Sequence, residues 1–467
     1  MDIRIVENAN QIDCDVLIVN KFQDELTSND LINRYAPDTF RGDVGEIFLI
    51  HTRAEQPAKY VLAVGFGNED NIDNDVIRKA ITRAVKKCIE LKAQTIAFDI
   101  STNVAFGVPT VLATSIANYT FDKYKTKKDH KISTVFISKV SSDIEVVDVA
   151  LKGLELARNL ANEPAAYATP KKLAEIAQKI EGIETDIYDE KEIKKMGMNA
   201  YLAVAKGSDN PARFIHMKYV PQNPVKRIAI IGKGLCFDSG GLDLKPASSM
   251  LTMRNDMAGA ACIIGIMSVI DKIKPDVEIH GLIAACENMP SGKSYKPGDI
   301  LTARNGKTIE VDNTDAEGRL TLADVLCYAC DLEVDEVIDI ATLTGACVVA
   351  LGDTVSGIMG NNREFVKTLT KTALYSGEKF WQLPMLQDYR ENLNSDIADI
   401  KNTGSRFGGA SSAGMFLKEF VTDNVKWAHI DIAGTAFLDK PRNGYCKGAT
   451  GAGYLTLLNY LGLHQNF

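Results

Sequence analysis

Histidine is scarce in this chain: six occur among 467 residues, at 51, 130, 216, 280, 429 and 464, and none belongs to an HExxH pair. That argues against a mononuclear zinc peptidase built on two helical histidines. A serine nucleophile elbow is also missing, because Ser239 stands in FDSGG and not in GxSxG. The loop GKGLCF fits neither GxGxxG nor GxxxxGK[ST], which argues against a phosphate-cradling nucleotide site. No block of Lys and Arg appears, and with 53 basic against 61 acidic residues the net charge is -8, which argues against a nucleic-acid partner. The densest basic run, KYKTKKDHK at 123–131, reads as a solvated loop. No apolar run is long enough to span a bilayer, so no membrane partner is expected. The opening MDIRIVENANQIDCDVLIVN lacks a basic segment followed by an apolar stretch and a small-residue cleavage site. A cytoplasmic protein without a secretory signal is therefore the expectation, and nine scattered cysteines fit reduced thiols there. Cys327 and Cys330 form the one CxxC, but inside a helical apolar pattern that reads as core.

What is present is an ordinary globular composition, 45% hydrophobic and 24% charged, in a chain long enough for two or three domains. Through the first 140 residues, β-rich runs (DVLIVN, EIFLIH, YVLAVGFG, QTIAFDI, STVFIS) alternate with helical stretches such as DVIRKAITRAVKKCIELK. Residues 144–161 read as one amphipathic helix, which NEPAAYATP stops with Pro164 and Pro170. Buried-strand candidates then return as RIAIIG, VEIHGLIAAC, EVIDIAT and WAHIDIAG, with helical AGAACIIGIMSVIDKI and SAGMFLKEFV between them. The expected architecture is a smaller N-terminal α/β domain (1–143), a linker helix (144–165) and a larger C-terminal α/β domain (166–467). The larger one carries a central mixed sheet flanked by helices.

Three segments of that larger domain concentrate charge at strand-to-helix junctions. NTDAEGRL (313–320) puts Asp315, Glu317 and Arg319 on alternate positions, which would share one face if the segment were extended. RIAIIGKGLCFDSGGLDLKP (227–246) runs from an apolar strand into a Gly-rich loop with Lys233, Asp238 and Lys245. MLTMRNDMAGAACIIG (250–265) places Asp256 at the mouth of a helix, where simple capping is the alternative. Taken singly, the first reads equally as a surface ion-pair cluster before a helix, the second less well as charges solvating a turn, and the third better as a helix cap. Together they gather four carboxylates, two lysines and an arginine, and like charges that close need compensation. A pair of divalent cations would provide it, with Mn²⁺, Mg²⁺ or Zn²⁺ suited to the oxygen ligands. Such a pair can share a water and polarise a carbonyl.

These motifs resemble those of the cytosolic leucyl aminopeptidase family of two-metal exopeptidases. The resemblance also takes in ARNLANEP, ENMPSGKSYKPGDILTARNGKTIEVD, TLTGA at 342–346, WAHIDIAG and GATGAG, covering most of residues 155–455. It implies that Asp238 and Glu317 bridge two metals, Mn or Zn, that Asp315 completes one site, and that Lys233 with Asp256 completes the other. It implies catalytic roles for Lys245, which stabilises the oxyanion, and for Arg319, which holds a bicarbonate. Met253, Asn313, Thr342 and Leu343 fall where the family lines a pocket for an apolar first residue. Short peptide substrates and a homohexamer are further implications. Cys236, Asp243 and Arg254 depart from the commoner family residues, Thr, Ser or Asn, and Lys respectively; Asp243 is expected on the side of Lys245, where it would keep that lysine charged. The competing readings are a binding or regulatory protein on the same scaffold, for example one that binds DNA, and a two-metal phosphoesterase. Against the latter stands the missing phosphate loop.

Overall fold

A computed structural model of the chain describes residues 1–99, 106–138, 144–442 and 444–463. Ile100, His464 and the boundary expected at 143 lie outside them. The chain divides into two compact units, one from Met1–Leu151 with Leu438–Gly448 and Asn466–Phe467, the other from Lys152–Phe437 with Ala449–Gln465. Both are α/β, and the first is the smaller.

The first unit is built on six strands in the order Asp2–Val6, Thr134–Ser138, Thr95–Asp99, Val16–Phe22, Tyr60–Gly67, Ile47–His51. All neighbours are parallel except the last pair. Parallel strands need cover on both faces, and the central runs VLIVNKF and YVLAVGFG are accordingly almost wholly buried. The helix Asn74–Glu90 begins where the Asp73 side chain accepts the Val76 N–H at 2.8 Å. It buries Ile77, Ala80, Ile81, Ala84, Val85 and Cys88, the one-sided spacing of an amphipathic helix. The 123–131 run is an exposed loop, as its composition implies.

The second unit holds an eight-stranded mixed sheet in the order Phe380–Gln382, Ser356–Gly360, Lys426–Asp431, Glu336–Ala341, Arg227–Asp238, Glu278–Asn288, Arg213–Tyr219, Glu184–Tyr188. The four middle strands are parallel to one another, and the pairs involving Arg213–Tyr219 and the Ser356–Gly360/Lys426–Asp431 pair are antiparallel. The outer strands escape a reading by apolar runs, since ETDIY and FWQ have none. All eleven residues of Glu278–Asn288 are buried, so helices must cover both faces there.

The Arg227–Asp238 strand shows how the cover is divided. Gly232 faces the helix Ala258–Ile273, so closely that a Cβ would stand 2.5 Å from the Gly259 carbonyl oxygen. Lys233, one residue on, projects from the opposite face towards the helix Gly318–Asp331. There a Cβ on Gly318 would stand 2.5 Å from Lys233 Cε, so glycine makes room for the lysine. Leu320, Leu322, Ala323, Val325 and Leu326 of this helix join Ile231, Leu235, Leu282 and Trp427 of the sheet in one core. In a sheet of this kind the crevice for chemistry lies at the carboxyl ends of the parallel strands. Asp238 and Asn288 end two of them side by side.

Candidate metal centre

Four segments deliver the charged groups. The strand Arg227–Asp238 supplies Lys233 and Asp238; the turn after it supplies Lys245, whose N–H donates to the Ser239 carbonyl at 2.9 Å. Gly240 takes φ +88°, a conformation that suits only glycine, and its N–H donates to Asp238 Oδ1 at 2.9 Å. A 3-10 turn, Met253–Asn255, leads into Asp256. The turn 313–316 supplies Asp315, and Glu317 stands at the N-cap position of the Gly318–Asp331 helix without a side-chain capping bond.

The side chains converge. Lys233 Nζ lies 2.8 Å from Asp256 Oδ2 and 2.8 Å from Glu317 Oε1, and donates to the Thr342 carbonyl at 3.0 Å. Lys245 Nζ lies 2.8 Å from Asp238 Oδ2 and also contacts Asp315 Oδ1. One oxygen from each of Asp238, Asp315 and Glu317 lies within 4.8 Å of the other two. Asn288 Nδ2 donates to Asp238 Oδ1 at 2.9 Å, and Thr342 Oγ1 to Asp256 Oδ1 at 2.7 Å.

Two ammonium groups do not balance four carboxylates, three of them buried and Asp315 half-buried. Burial, with the Glu317 and Asp256 charges, pushes Asp238 well above the ordinary carboxylate range. Burial likewise pushes Asp256 up to about 7 and raises Asp315. Glu317 goes the other way: burial opposes its charge, but Lys233 and Lys245 outweigh it and hold the group below its ordinary value. Burial lowers the Arg319 guanidinium to about 10. A cluster that resists carrying its full negative charge is one that more positive charge would stabilise. Oxygens this close, beside two amines, fit hard divalent cations.

Family profiles match most of the chain. The catalytic domain of the cytosol aminopeptidase family matches residues 155–458, and that family's N-terminal domain matches residues 17–128. The chain belongs to the cytosol aminopeptidase family. It is a hydrolase of the aminopeptidase class. Among its relatives, a probable cytosol aminopeptidase of Sulfurihydrogenibium sp. (strain YO3AOP1) is 44% identical over 440 residues, 90% of this chain and 87% of that protein. One from Aquifex aeolicus (strain VF5) is also 44% identical, covering 91% and 88%. The bottromycin maturation enzyme BotP, solved in complex with Mn, superposes with a TM-score of 0.88 at 29% identity, over 96% of this chain and 99% of BotP. Among the described residues no helix is long and apolar enough to cross a membrane.

Within this aminopeptidase fold some local expectations change. The 313–320 segment is a turn entering a helix and not an extended run, so Arg319 does not share a face with Asp315 by alternation. Its Nη1 instead donates to the Asn402 carbonyl at 2.7 Å. Asp256 is no helix cap: Met257 holds the N-cap position of Ala258–Ile273, and Asp256 spends its oxygens on Lys233 and Thr342. Asp243 does not support Lys245. Its Oδ2 accepts the Thr314 N–H at 2.7 Å, and Lys245 is raised by Asp238, Glu317 and Asp315, against burial. His429 is a buried core residue whose Nδ1 lies 2.5 Å from Asp339 Oδ1. Of the residues expected to line a first-residue pocket, Asn313 Oδ1 accepts the Asp315 N–H at 2.7 Å, the Leu343 N–H donates to Asp431 at 3.3 Å, and Met253 opens the turn before Asp256. Asn288 and Asn402 were missed. A polar residue closing a strand just beyond the apolar run GLIAAC is a usable signal for Asn288, whereas Asn402 offers none.

Proposed function

We propose that this aminopeptidase removes an apolar first residue, such as Leu or Met, from short peptides at a two-metal site, with residues 166–467 as its catalytic part. Asp238 and Glu317 would bridge the ions, Asp315 would complete one site, and Lys233 with Asp256 the other. When bound, two such cations lower the pKa of a shared water and polarise a carbonyl. The single observation that carries the reading is the gathering of the Asp238, Asp315 and Glu317 oxygens within 4.8 Å.

The remaining chemistry belongs to the chain. Lys245 is held protonated by its carboxylate neighbours and so keeps N–H bonds to donate to the oxyanion that forms as the scissile carbonyl is attacked. Its partial exposure leaves it open to substrate. Lys233, fully enclosed, has no such access and is suited to the ligand role once it gives up its proton. Arg319, buried and fixed by the Asn402 carbonyl, would hold a bicarbonate, which would supply a base. Met253, Asn313, Thr342 and Leu343 would line the first-residue pocket. Mn or Zn as the ions, a homohexamer and a cytoplasmic setting complete the proposal.

The test is hydrolysis of leucine p-nitroanilide by metal-stripped protein with Mn²⁺, Zn²⁺, Co²⁺ and Mg²⁺ added back separately. Turnover restored by at least one ion, and slower with the aspartate analogue, is expected. Turnover that needs no metal, or none with any ion, would refute it.

A further inference from the structure

The segment that bears Asp315 and Glu317 is held by a residue from a distant part of the chain. The two-residue strand Ile400–Lys401 pairs in parallel with Thr308–Glu310, and the Asn402 N–H donates to the Glu310 carbonyl at 2.9 Å. That pairing delivers Asn402, with no exposed surface, to the inside of the 312–316 turn. Its side-chain Oδ1 accepts the Asp312 N–H at 2.8 Å and the Asn313 N–H at 3.2 Å. Its Nδ2 donates to the Asn313 carbonyl at 2.7 Å and to the Ala316 carbonyl at 3.4 Å. An amide offers two acceptor and two donor positions, and here all four are used on one turn. The backbone carbonyl of the same residue takes the Arg319 Nη1 hydrogen.

We infer that Asn402 is a positioning residue for the reaction, one that fixes the Asp315–Glu317 turn and Arg319 together in register. Neither likely substitute by size or polarity reproduces it. Aspartate matches the shape but has no hydrogen to give the Asn313 and Ala316 carbonyls, and it adds a fifth carboxylate near a cluster already short of positive charge. Alanine leaves two N–H groups and two carbonyls of a part-buried turn without their partner. The turn would then sample other arrangements, Asp315 would leave the line of its neighbours, and Arg319 would lose its anchor. The inference rests on the metal reading above.

The test compares wild type, Asn402→Ala and Asn402→Asp, with the exposed Ile397→Ala as a nearby control, in the full-length protein loaded with Mn²⁺. Two readouts are taken: the rate at which a chelator withdraws Mn²⁺, and kcat and KM separately for leucine p-nitroanilide. Loss of a group that orients metal-binding residues costs about 10- to 100-fold in metal affinity or activity. For both Asn402 variants the expected results are Mn²⁺ release faster by that order, a kcat lower by that order, KM nearly unchanged, and a folded protein whose thermal midpoint is lowered by the lost hydrogen bonds. Wild-type release and kcat in a folded Asn402→Ala protein would overturn the inference. Should that variant not fold, Asn402→Ser carries the same comparison, with the same two outcomes. A wild-type protein that takes up no Mn²⁺ would count against the metal reading itself, which separates the two failures.

Discussion

Asp324 provides a pH-dependent test of how the site helix is anchored. It sits in the Gly318–Asp331 helix with no exposed surface, and its carboxylate accepts the Tyr201 N–H at 2.9 Å and the Arg304 N–H at 2.8 Å. Burial pushes its pKa from 3.8 up to about 7, against the pull of those backbone hydrogen bonds. The folded value lies above the unfolded one, so the folded protein binds this proton more tightly. Its stabilising contribution is complete below about pH 4 and is lost as pH rises through about 7. The gap of roughly three pH units, at about 1.4 kcal/mol each, makes the full swing at most about 4 kcal/mol. Asp324→Asn removes the titration. It also sets an amide NH₂ against one backbone N–H, a constant penalty of about 1–3 kcal/mol at every pH. Urea unfolding of metal-stripped protein is followed by fluorescence of the buried Trp427, whose indole donates to Asp339 at 2.7 Å. The wild-type stability minus that of the variant should fall by up to about 4 kcal/mol between about pH 4.5 and pH 8.5. A flat or rising difference would mean that the two backbone bonds keep Asp324 ionised throughout, and the argument from burial would fail.

Replacing Asp238 by Asn removes a charge that burial and its neighbours disfavour while keeping the oxygen that meets Asn288 and Gly240, so metal-stripped protein should melt a few degrees higher. The same variant should gain nothing in melting temperature on adding Mn²⁺, and a wild-type gain would contradict the ligand assignment. Lys245→Ala should lower kcat by about 10²- to 10³-fold, the usual result of removing one oxyanion donor, with KM little changed. A loss confined to KM would place Lys245 in substrate binding instead. Lys233 is protonated in the metal-free protein, since Asp256, Glu317 and Asp238 outweigh burial and raise it above 10.5. Metal uptake at about pH 9, where Asp256 is already ionised, should therefore release close to one more proton from wild type than from Lys233→Met by calorimetry in two buffers. Equal release would remove the neutral-amine role.

Much of this site was legible in the sequence because its carriers are local. Apolar strands such as RIAIIG and EVIDIAT announce a buried parallel sheet, and charged residues just beyond such strands have few places to go but its crevice. Lys233, Asp238, Asp256, Asp315 and Glu317 are brought together on that logic. What the sequence hid depends on pairing between distant segments. Alternation along NTDAEGRL misjudged Arg319, because helix onset at Gly318 turns that side chain to Asn402, which is 83 residues away. Asp243 looked like a partner of Lys245 by spacing, yet the tight turn at Gly240 aims it at Thr314. The edge strands Glu184–Tyr188 and Phe380–Gln382 were invisible because an edge needs little apolar surface. Asn402 is delivered by a strand of two residues, too short to leave a pattern.

The account turns on whether the acidic cluster collects cations, and anomalous diffraction from crystals grown with Mn²⁺ measures that directly. It predicts two peaks per chain, about 3.5–4 Å apart, with Asp238 and Glu317 touching both, Asp315 one, and Lys233 with Asp256 the other. Crystals with no peak at these residues, while Lys233 and Lys245 keep their ion pairs, would contradict it.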